Sequence, residues 1–316
     1  MKIVFLDRTG IPPHLPIPRP NFPHQWVEYD TTQPVQLLER MHDAEIAVTS
    51  KVVFSREIMQ QLPQLKLIAL TATGTNNIDL VAAKELGIEV KNVTGYSSVT
   101  VPEHVIGFIF ALKHSITAWQ SDLQRDRWSN SEQFCYFDYP ITDVRGSVLG
   151  VVGKGCLGSE VGRLAELLGM RVLYAERPNV NVCRDGYMPF DQVLAQADII
   201  SLHCPLTSET THLMNAERLA KMKKGALLIN TGRGPLIDEL AVVAALKSGQ
   251  LGGAALDVLT KEPPEKENPL LQYAKTSPNL IITPHIAWAS DSAVTTLVNK
   301  VRDNLEAFWH SQQTNR

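Results

Sequence analysis

The chain is poor in cysteine, carries no strong excess of either charge and has no long apolar run, and each shortage removes a class of protein. Cys135, Cys156, Cys183 and Cys204 lie far apart, with no C-x-x-C pair among them. That spacing is poor material for a disulfide framework or a zinc site, so a reducing compartment and no metal are expected. Thirty Lys and Arg against 33 Asp and Glu leave a net charge of -3, which gives no electrostatic footprint for nucleic acid. The longest apolar run, Val105 to Leu112, is too short to cross a bilayer. The few apolar residues ahead of Asp7 are too few for a signal peptide, so a cytoplasmic protein without membrane or nucleic-acid partners is expected. No internal repeat or low-complexity tract is present.

What is present suits two globular domains: 316 residues, 44% hydrophobic and 20% charged. Residues 3–6 read as a short buried strand. Pro12, Pro13, Pro16, Pro18, Pro20 and Pro23 follow, and so many fixed φ angles and missing donors predict an extended surface loop. Strands are then predicted over 44–49, 67–70 and 88–90, with a helix over 80–86. A second series begins near residue 100. There Thr100-Val101-Pro102-Glu103 has the form of a capping box opening a helix that runs to about Leu123. Strands are predicted over 148–152, 171–175, 198–203, 226–230, 253–258 and 280–283, with helical patterns between most of them. The stretch 292–310 reads as an amphipathic helix, with Val294, Leu297, Val301 and Leu305 at helical spacing. Alternation of this kind predicts parallel sheets with crossover helices.

The strongest local signal is Gly153-Lys154-Gly155-Cys156-Leu157-Gly158. A lone G-x-G-x-x-G is weak, but here an apolar strand leads in and a helical pattern leads out. Gly153 permits the tight turn, Gly155 lets backbone approach a pyrophosphate, and Gly158 lets helix and sheet pack closely. The helix start offers N–H groups to the phosphates. The next strand ends at Glu176, whose carboxylate can accept ribose hydroxyls and repel a 2′-phosphate, so NAD is favoured over NADP. Arg177 follows directly and could hold a phosphate instead, which keeps NADP open.

Ligands of open α/β sheets bind beyond the carboxyl ends of the strands. Three such ends carry conspicuous groups: Arg233 in Thr231-Gly232-Arg233-Gly234, Glu262 ahead of two prolines, and His285 after Pro284. Arg offers a planar fork for an α-keto carboxylate, and His exchanges the hydroxyl proton near neutral pH. A nearby carboxylate orients the imidazole. Singly, each has a bland reading as a strand cap, a solvated loop acid or a satisfied histidine; together, beside a nucleotide turn, the bland readings lose ground. His203 and Cys204 are neighbours on a strand and are not expected to pair. His104, in the first turn of a helix, reads as structural or near the cofactor.

These residues resemble the D-isomer-specific 2-hydroxyacid dehydrogenase family. The stretches that carry the likeness are 149–158, 202–210, 228–234, 255–258 with Glu262-Pro263, and 284–287, in the family's order over nearly the whole chain. The resemblance implies an α/β architecture of two doubly wound parallel sheets. A Rossmann-type cofactor domain over 99–287 would be inserted into a flavodoxin-like substrate domain of 1–98 and 288–316. It further implies a homodimer and NAD as cofactor, held by Gly153, Gly155, Cys156, Leu157, Gly158, Glu176, Thr231 and Asp257, with Asp257 close to the nicotinamide. Arg233, Glu262 and His285 would be catalytic, His285 as acid/base and Glu262 as its partner. Thr73 and Gly74 would hold the substrate carboxylate with Arg233 and His285, and Trp288 would limit substrate size. Two positions depart from the family pattern: Pro102 stands where Ala is common, and Glu176 where Asp is more usual.

Within the family the chain is most similar to glycerate dehydrogenases (hydroxypyruvate reductases), which implies interconversion of hydroxypyruvate and D-glycerate, or of glyoxylate and glycolate. A D-lactate or phosphoglycerate-type dehydrogenase stays open, as does a non-catalytic NAD-sensing protein. The phosphoglycerate reading needs a cationic pocket, and residues 71–79 contain no Lys or Arg.

Overall fold

A computed structural model describes residues 1–180 and 182–314; the end of the expected substrate-domain range, 315–316, lies outside the described residues. The chain divides into two compact units, Met1–Ser97 joined by the chain from Ala289 onward, and Ser98–Trp288.

The first unit holds a five-stranded sheet of β1 (Lys2–Phe5), β2 (Gln25–Glu28), β3 (Ile46–Thr49), β4 (Leu67–Leu70) and β5 (Glu89–Lys91). All pairs are parallel, in the order β2-β1-β3-β4-β5, the 2-1-3-4-5 arrangement of flavodoxin-like sheets. Its helices are α1 (Pro34–Met41), α2 (Arg56–Gln60) and α3 (Leu80–Glu85). Strands β3 and β4 are buried at every position, which is why they read as continuous apolar runs. The edge strand β2 has only intermediate and exposed residues, so it gives no such run and escapes the sequence reading. The proline segment lies without helix or strand against the last helix of the chain. Phe22 stacks on Trp309 with ring centroids 4.8 Å apart, and Glu306 accepts the Asn21 N–H.

The second unit begins with two helices, α4 (Thr100–Lys113) and α5 (Ile116–Leu123). The single helix expected over 100–123 is therefore corrected. Ser115 takes a left-handed φ of 51° and interrupts the i→i−4 ladder. The expected capping box is also absent. The N-cap position is Val99, and the Thr100 hydroxyl donates to the Ala287 carbonyl rather than to its own helix. Pro102 sits in the first turn, where its missing N–H leaves no intrahelical bond unmade.

Six strands follow: β6 (Val148–Val152), β7 (Arg171–Ala175), β8 (Ile199–Leu202), β9 (Ala226–Asn230), β10 (Leu251–Leu256) and β11 (Leu280–Ile282). They pair in parallel in the order β11-β10-β9-β8-β6-β7. The helices among them are α6 (Cys156–Leu167), α7 (Phe190–Gln196), α8 (Ala216–Ala220), α9 (Glu239–Lys247) and α10 (Pro269–Ala274). The long α11 (Asp291–Thr314) closes the chain as part of the first unit.

Period-two alternation feeds both faces of the six-stranded sheet. Leu227 and Ile229 pack with α4 and α6, while Ala226 and Leu228 pack with α7, α8 and α9 on the other side. Each fully buried Leu or Ile contributes about 1.5–3 kcal/mol relative to exposure. Gly150 keeps the β6 interior narrow, because a Cβ there would come within 2.6 Å of Ile200 Cδ1 and 2.7 Å of Val193 Cγ1. After β6 the chain adds β7 on one flank and then returns to add β8 on the other. The carboxyl end of β6 is therefore the topological switch point, the place where open α/β sheets bind their ligands.

Candidate active site

The glycine turn leaves the switch point at the end of β6. Gly153 has φ 100°, and a Cβ on it would meet His203 and Cys204 backbone atoms at 2.7 Å. A Cβ on Gly158 would lie 2.0 Å from the Gly153 carbonyl oxygen, so both positions exclude any side chain. Gly155 differs: a Cβ there meets nothing within 4 Å. The space in front of it is open, and the N–H groups of Cys156, Leu157 and Gly158 at the start of α6 have no partner within the helix. Cys156 is an exposed free thiol.

The orphaned hydroxyl of Thr231, just past β9, is buried and has no hydrogen-bond partner among the described residues. An open, N–H-lined turn and an unsatisfied buried hydroxyl beside the same sheet edge fit a dinucleotide, whose pyrophosphate and polar groups would satisfy both.

The second cluster forms at the carboxyl ends of β9, β10 and β11, which are neighbours in the sheet. Asn230, fully buried at the end of β9, ties the turn that follows. Its Oδ1 accepts the Gly232 N–H at 3.0 Å and its Nδ2 donates to the Arg233 carbonyl at 2.8 Å. Gly234 lets the β10 loop cross closely, since a Cβ there would fall 2.0 Å from the Leu259 carbonyl. The chain next to Arg233 is thereby packed on the loop that carries Glu262.

Glu239, in the first turn of α9, clamps that loop from its other side. Its carboxylate accepts the Thr260 N–H at 2.8 Å and the Asn268 side-chain amide at 2.7 Å.

Glu262 is itself held. Its Oε1 accepts the Leu259 N–H at 3.0 Å, and its Oε2 lies 2.6 Å from His285 Nδ1. A carboxylate can only accept, so Nδ1 carries the proton and Nε2 is the nitrogen free to exchange one with a ligand. His285 adopts φ 56°, a costly conformation for a residue with a Cβ. Its backbone is over-determined. The His285 N–H donates to the Asp257 carbonyl, and its own carbonyl accepts the Trp288 indole N–H at 2.8 Å.

Asp257, 1% exposed, accepts the Ile286 and Ala287 N–H groups at 2.9 Å and the Thr283 hydroxyl. Its carboxylate is thus spent on anchoring the histidine loop, a task the residue type alone does not reveal. His104 Nε2 is 3.2 Å from Thr283 Oγ1, and partial burial lowers its pKa. It lines this network, where the sequence reading left it between a structural and a cofactor role.

His203 Nε2 is 2.8 Å from Ser201 Oγ, and desolvation pushes its pKa down to about 4. The same cause pushes the Cys204 thiol up to about 11, so neither residue supplies an activated nucleophile.

Glu176 is only 3% exposed and is not a bare carboxylate: Arg184 binds it in a two-pronged pair. That pair holds its pKa down at about 2, with the Arg177 N–H as the next cause. Thr73 belongs to the first unit, where its hydroxyl donates to the Val93 carbonyl and its own carbonyl accepts the Asn92 amide; Gly74 follows it there.

Asn230, Glu239 and Arg184 were missed in the sequence. Asn230 falls within the stretch 228–234, but nothing in its spacing marks it as a turn anchor.

Residues 106–287 match the NAD binding domain of the D-isomer specific 2-hydroxyacid dehydrogenases. A Haemophilus influenzae protein, itself only provisionally called a 2-hydroxyacid dehydrogenase, is 71% identical over 308 residues, covering 98% of each chain. A glycerate dehydrogenase of Methylorubrum extorquens is 46% identical over 308 residues, covering 97% of this chain and 96% of its own. Among solved structures, the D-lactate dehydrogenase of Aquifex aeolicus complexed with NAD and lactic acid superposes with a TM-score of 0.80. It is 26% identical and covers 99% of this chain and 96% of its own.

Proposed function

The chain belongs to the D-isomer specific 2-hydroxyacid dehydrogenase family, and from that premise we propose that it interconverts hydroxypyruvate and D-glycerate, with glyoxylate as a smaller substrate of the same type. It is an enzyme, and NAD is its cofactor. The observation that carries the substrate reading is the likeness to a glycerate dehydrogenase over almost the whole chain. The absence of Lys and Arg from residues 71–79 supports it against a phosphorylated substrate.

A nicotinamide held by the glycine turn would supply hydride chemistry. In this proposal Arg233 grips the substrate carboxylate with its planar fork and polarises the adjacent carbonyl. His285 delivers a proton from Nε2 to the carbonyl oxygen while Glu262 stabilises the imidazolium through Nδ1. Thr73 and Gly74 hold the carboxylate through backbone amides, a role that rests on the match of their stretch to the family. Residues 99–287 form the cofactor domain, and 1–98 with 288–316 the substrate domain.

We place the enzyme in the cytoplasm as a homodimer. Support for the second copy comes from Phe134 and Phe137, which are 88% and 83% exposed in the segment between α5 and β6. Light scattering on the purified chain reads the mass directly, and a monomer removes the dimer from the proposal.

The test is initial rates of NADH oxidation with hydroxypyruvate, glyoxylate, pyruvate and 3-phosphohydroxypyruvate. The reading requires hydroxypyruvate to lead in kcat/KM. A lead for pyruvate or the phosphorylated acid overturns the substrate while keeping the chemistry.

A further inference from the structure

A carboxylate that discriminates against a 2′-phosphate must be free to repel it and free to accept the ribose hydroxyls in its place. Glu176 is free for neither. A carboxylate has about four acceptor sites, and four donors reach this one. Oε1 accepts the Arg177 N–H at 2.8 Å and Arg184 Nη2 at 2.7 Å, while Oε2 accepts Arg184 Nε at 2.7 Å and the Arg184 N–H at 3.1 Å. The pair with Arg184 is bidentate and charge-neutral.

A second cation shares an aromatic partner with Arg184. The Arg184 guanidinium sits 4.0 Å over the Tyr187 ring, and Lys154, inside the glycine turn, contacts the Tyr174 and Tyr187 rings at 4.4 and 5.6 Å. Arg177 continues the chain directly from Glu176. The Arg184 side chain is 53% exposed, so its guanidinium is reachable from solvent even while it holds the carboxylate. A parallel bridge between Ala175 and Met188 holds the loop that bears Arg184 against the end of β7.

We propose that Arg184 is the residue that sets cofactor choice: by occupying Glu176 it removes the repulsion of a 2′-phosphate and, with Arg177 and Lys154, offers one a binding site, so that the enzyme takes NADPH as well as NADH. The inference rests on the reading of residues 153–158 as the pyrophosphate turn. NADH binding is therefore the control that separates failure of that reading from failure of this one.

Isothermal titration of the purified full chain with NADH and NADPH, without substrate, reads the two dissociation constants apart from turnover. The wild type should bind the two cofactors within about tenfold of each other. Arg184→Ala bares the carboxylate and should weaken NADPH relative to NADH by at least about 30-fold, because like charges are then juxtaposed. Glu176→Gln frees Arg184 without removing a cation and should shift the ratio toward NADPH; it also serves if the alanine variant does not fold. A wild type that binds NADPH more than about tenfold weaker than NADH, or variants that leave the ratio unmoved, overturns the proposal. Failure to bind NADH at all would instead sink the assignment of the glycine turn.

Discussion

The glycine turn and the Glu262–His285 cluster, both at carboxyl ends of strands of the second unit's sheet, are built by opposite means. At the end of β6 the turn is shaped by what its residues lack. Gly153 and Gly158 exclude a Cβ, and the groups presented are backbone N–H donors. At the ends of β9, β10 and β11 the shape comes from buried polar side chains. Asn230 ties loop backbone, and Asp257 and Glu239 each hold loop backbone and one loop side chain, while Glu262 and His285 meet at 2.6 Å. The first device lies on one short stretch of chain, closed at Gly153 by the His203 and Cys204 backbone; the second joins three loops far apart in sequence. Damage to the first should appear as lost nucleotide affinity, and damage to the second as lost turnover.

His285→Gln should make the largest difference. General acid–base groups contribute about 10²–10⁴-fold, so kcat should fall by about 10³ while the dissociation constant for NADH, read by fluorescence titration, stays within twofold or so. A His285 variant that loses NADH affinity equally would erase the distinction between the turn and the cluster.

Gly158→Ala is the converse experiment. The new methyl must displace the Gly153 carbonyl or the helix, an overpacking that costs about 1–3 kcal/mol. NADH affinity should drop by about tenfold or more at 1.36 kcal/mol per decade. Titration with intrinsic fluorescence decides it, and unchanged affinity would show that the turn does not set nucleotide binding.

Asp257→Asn sharpens the comparison at its weakest point, since the resemblance puts this residue close to the nicotinamide and its carboxylate also anchors the histidine loop. The amide can still accept through one oxygen, but it strands one of the Ile286 and Ala287 N–H groups. That costs about 1–3 kcal/mol in the loop and should lower kcat about tenfold with little change in NADH affinity. A change confined to NADH affinity would return Asp257 to the cofactor.

The smallest effect concerns Glu176. Its folded pKa of about 2 lies below the ordinary 4.5, so between those values the unfolded chain binds more protons than the folded one. The stabilisation is therefore complete above 4.5 and drains away as pH falls toward about 2. Glu176→Gln should flatten this part of the unfolding free energy against pH, followed by urea titration at each pH. An unchanged slope would mean the pair with Arg184 does not persist in solution.

Legibility in the sequence followed the range of the interactions. The parallel strands buried on both faces, such as 46–49 and 226–230, stood out because burial on two sides demands continuous apolar residues. The edge strand 25–28 did not, because half of its surface meets solvent. The helix from residue 100 was read as one piece because 100–123 keeps a helical pattern across His114 and Ser115, and nothing in the type Ser announces a left-handed φ. The Thr100 capping box failed for a related reason: a carbonyl at residue 287 competes for the same hydroxyl.

By itself the sequence determined two alternating α/β series, a strand–glycine-turn–helix pattern, and the residue types able to polarise a keto acid and move its proton. Each of these is settled by neighbours within a few positions or by a periodicity that local chain geometry imposes. Only the tertiary structure decided that Glu262 holds Nδ1 of His285, that Asp257 is an anchor, and that Arg184 neutralises Glu176. Those outcomes depend on which of several competing donors reaches a carboxylate first, and that is fixed by backbone brought together from distant parts of the chain.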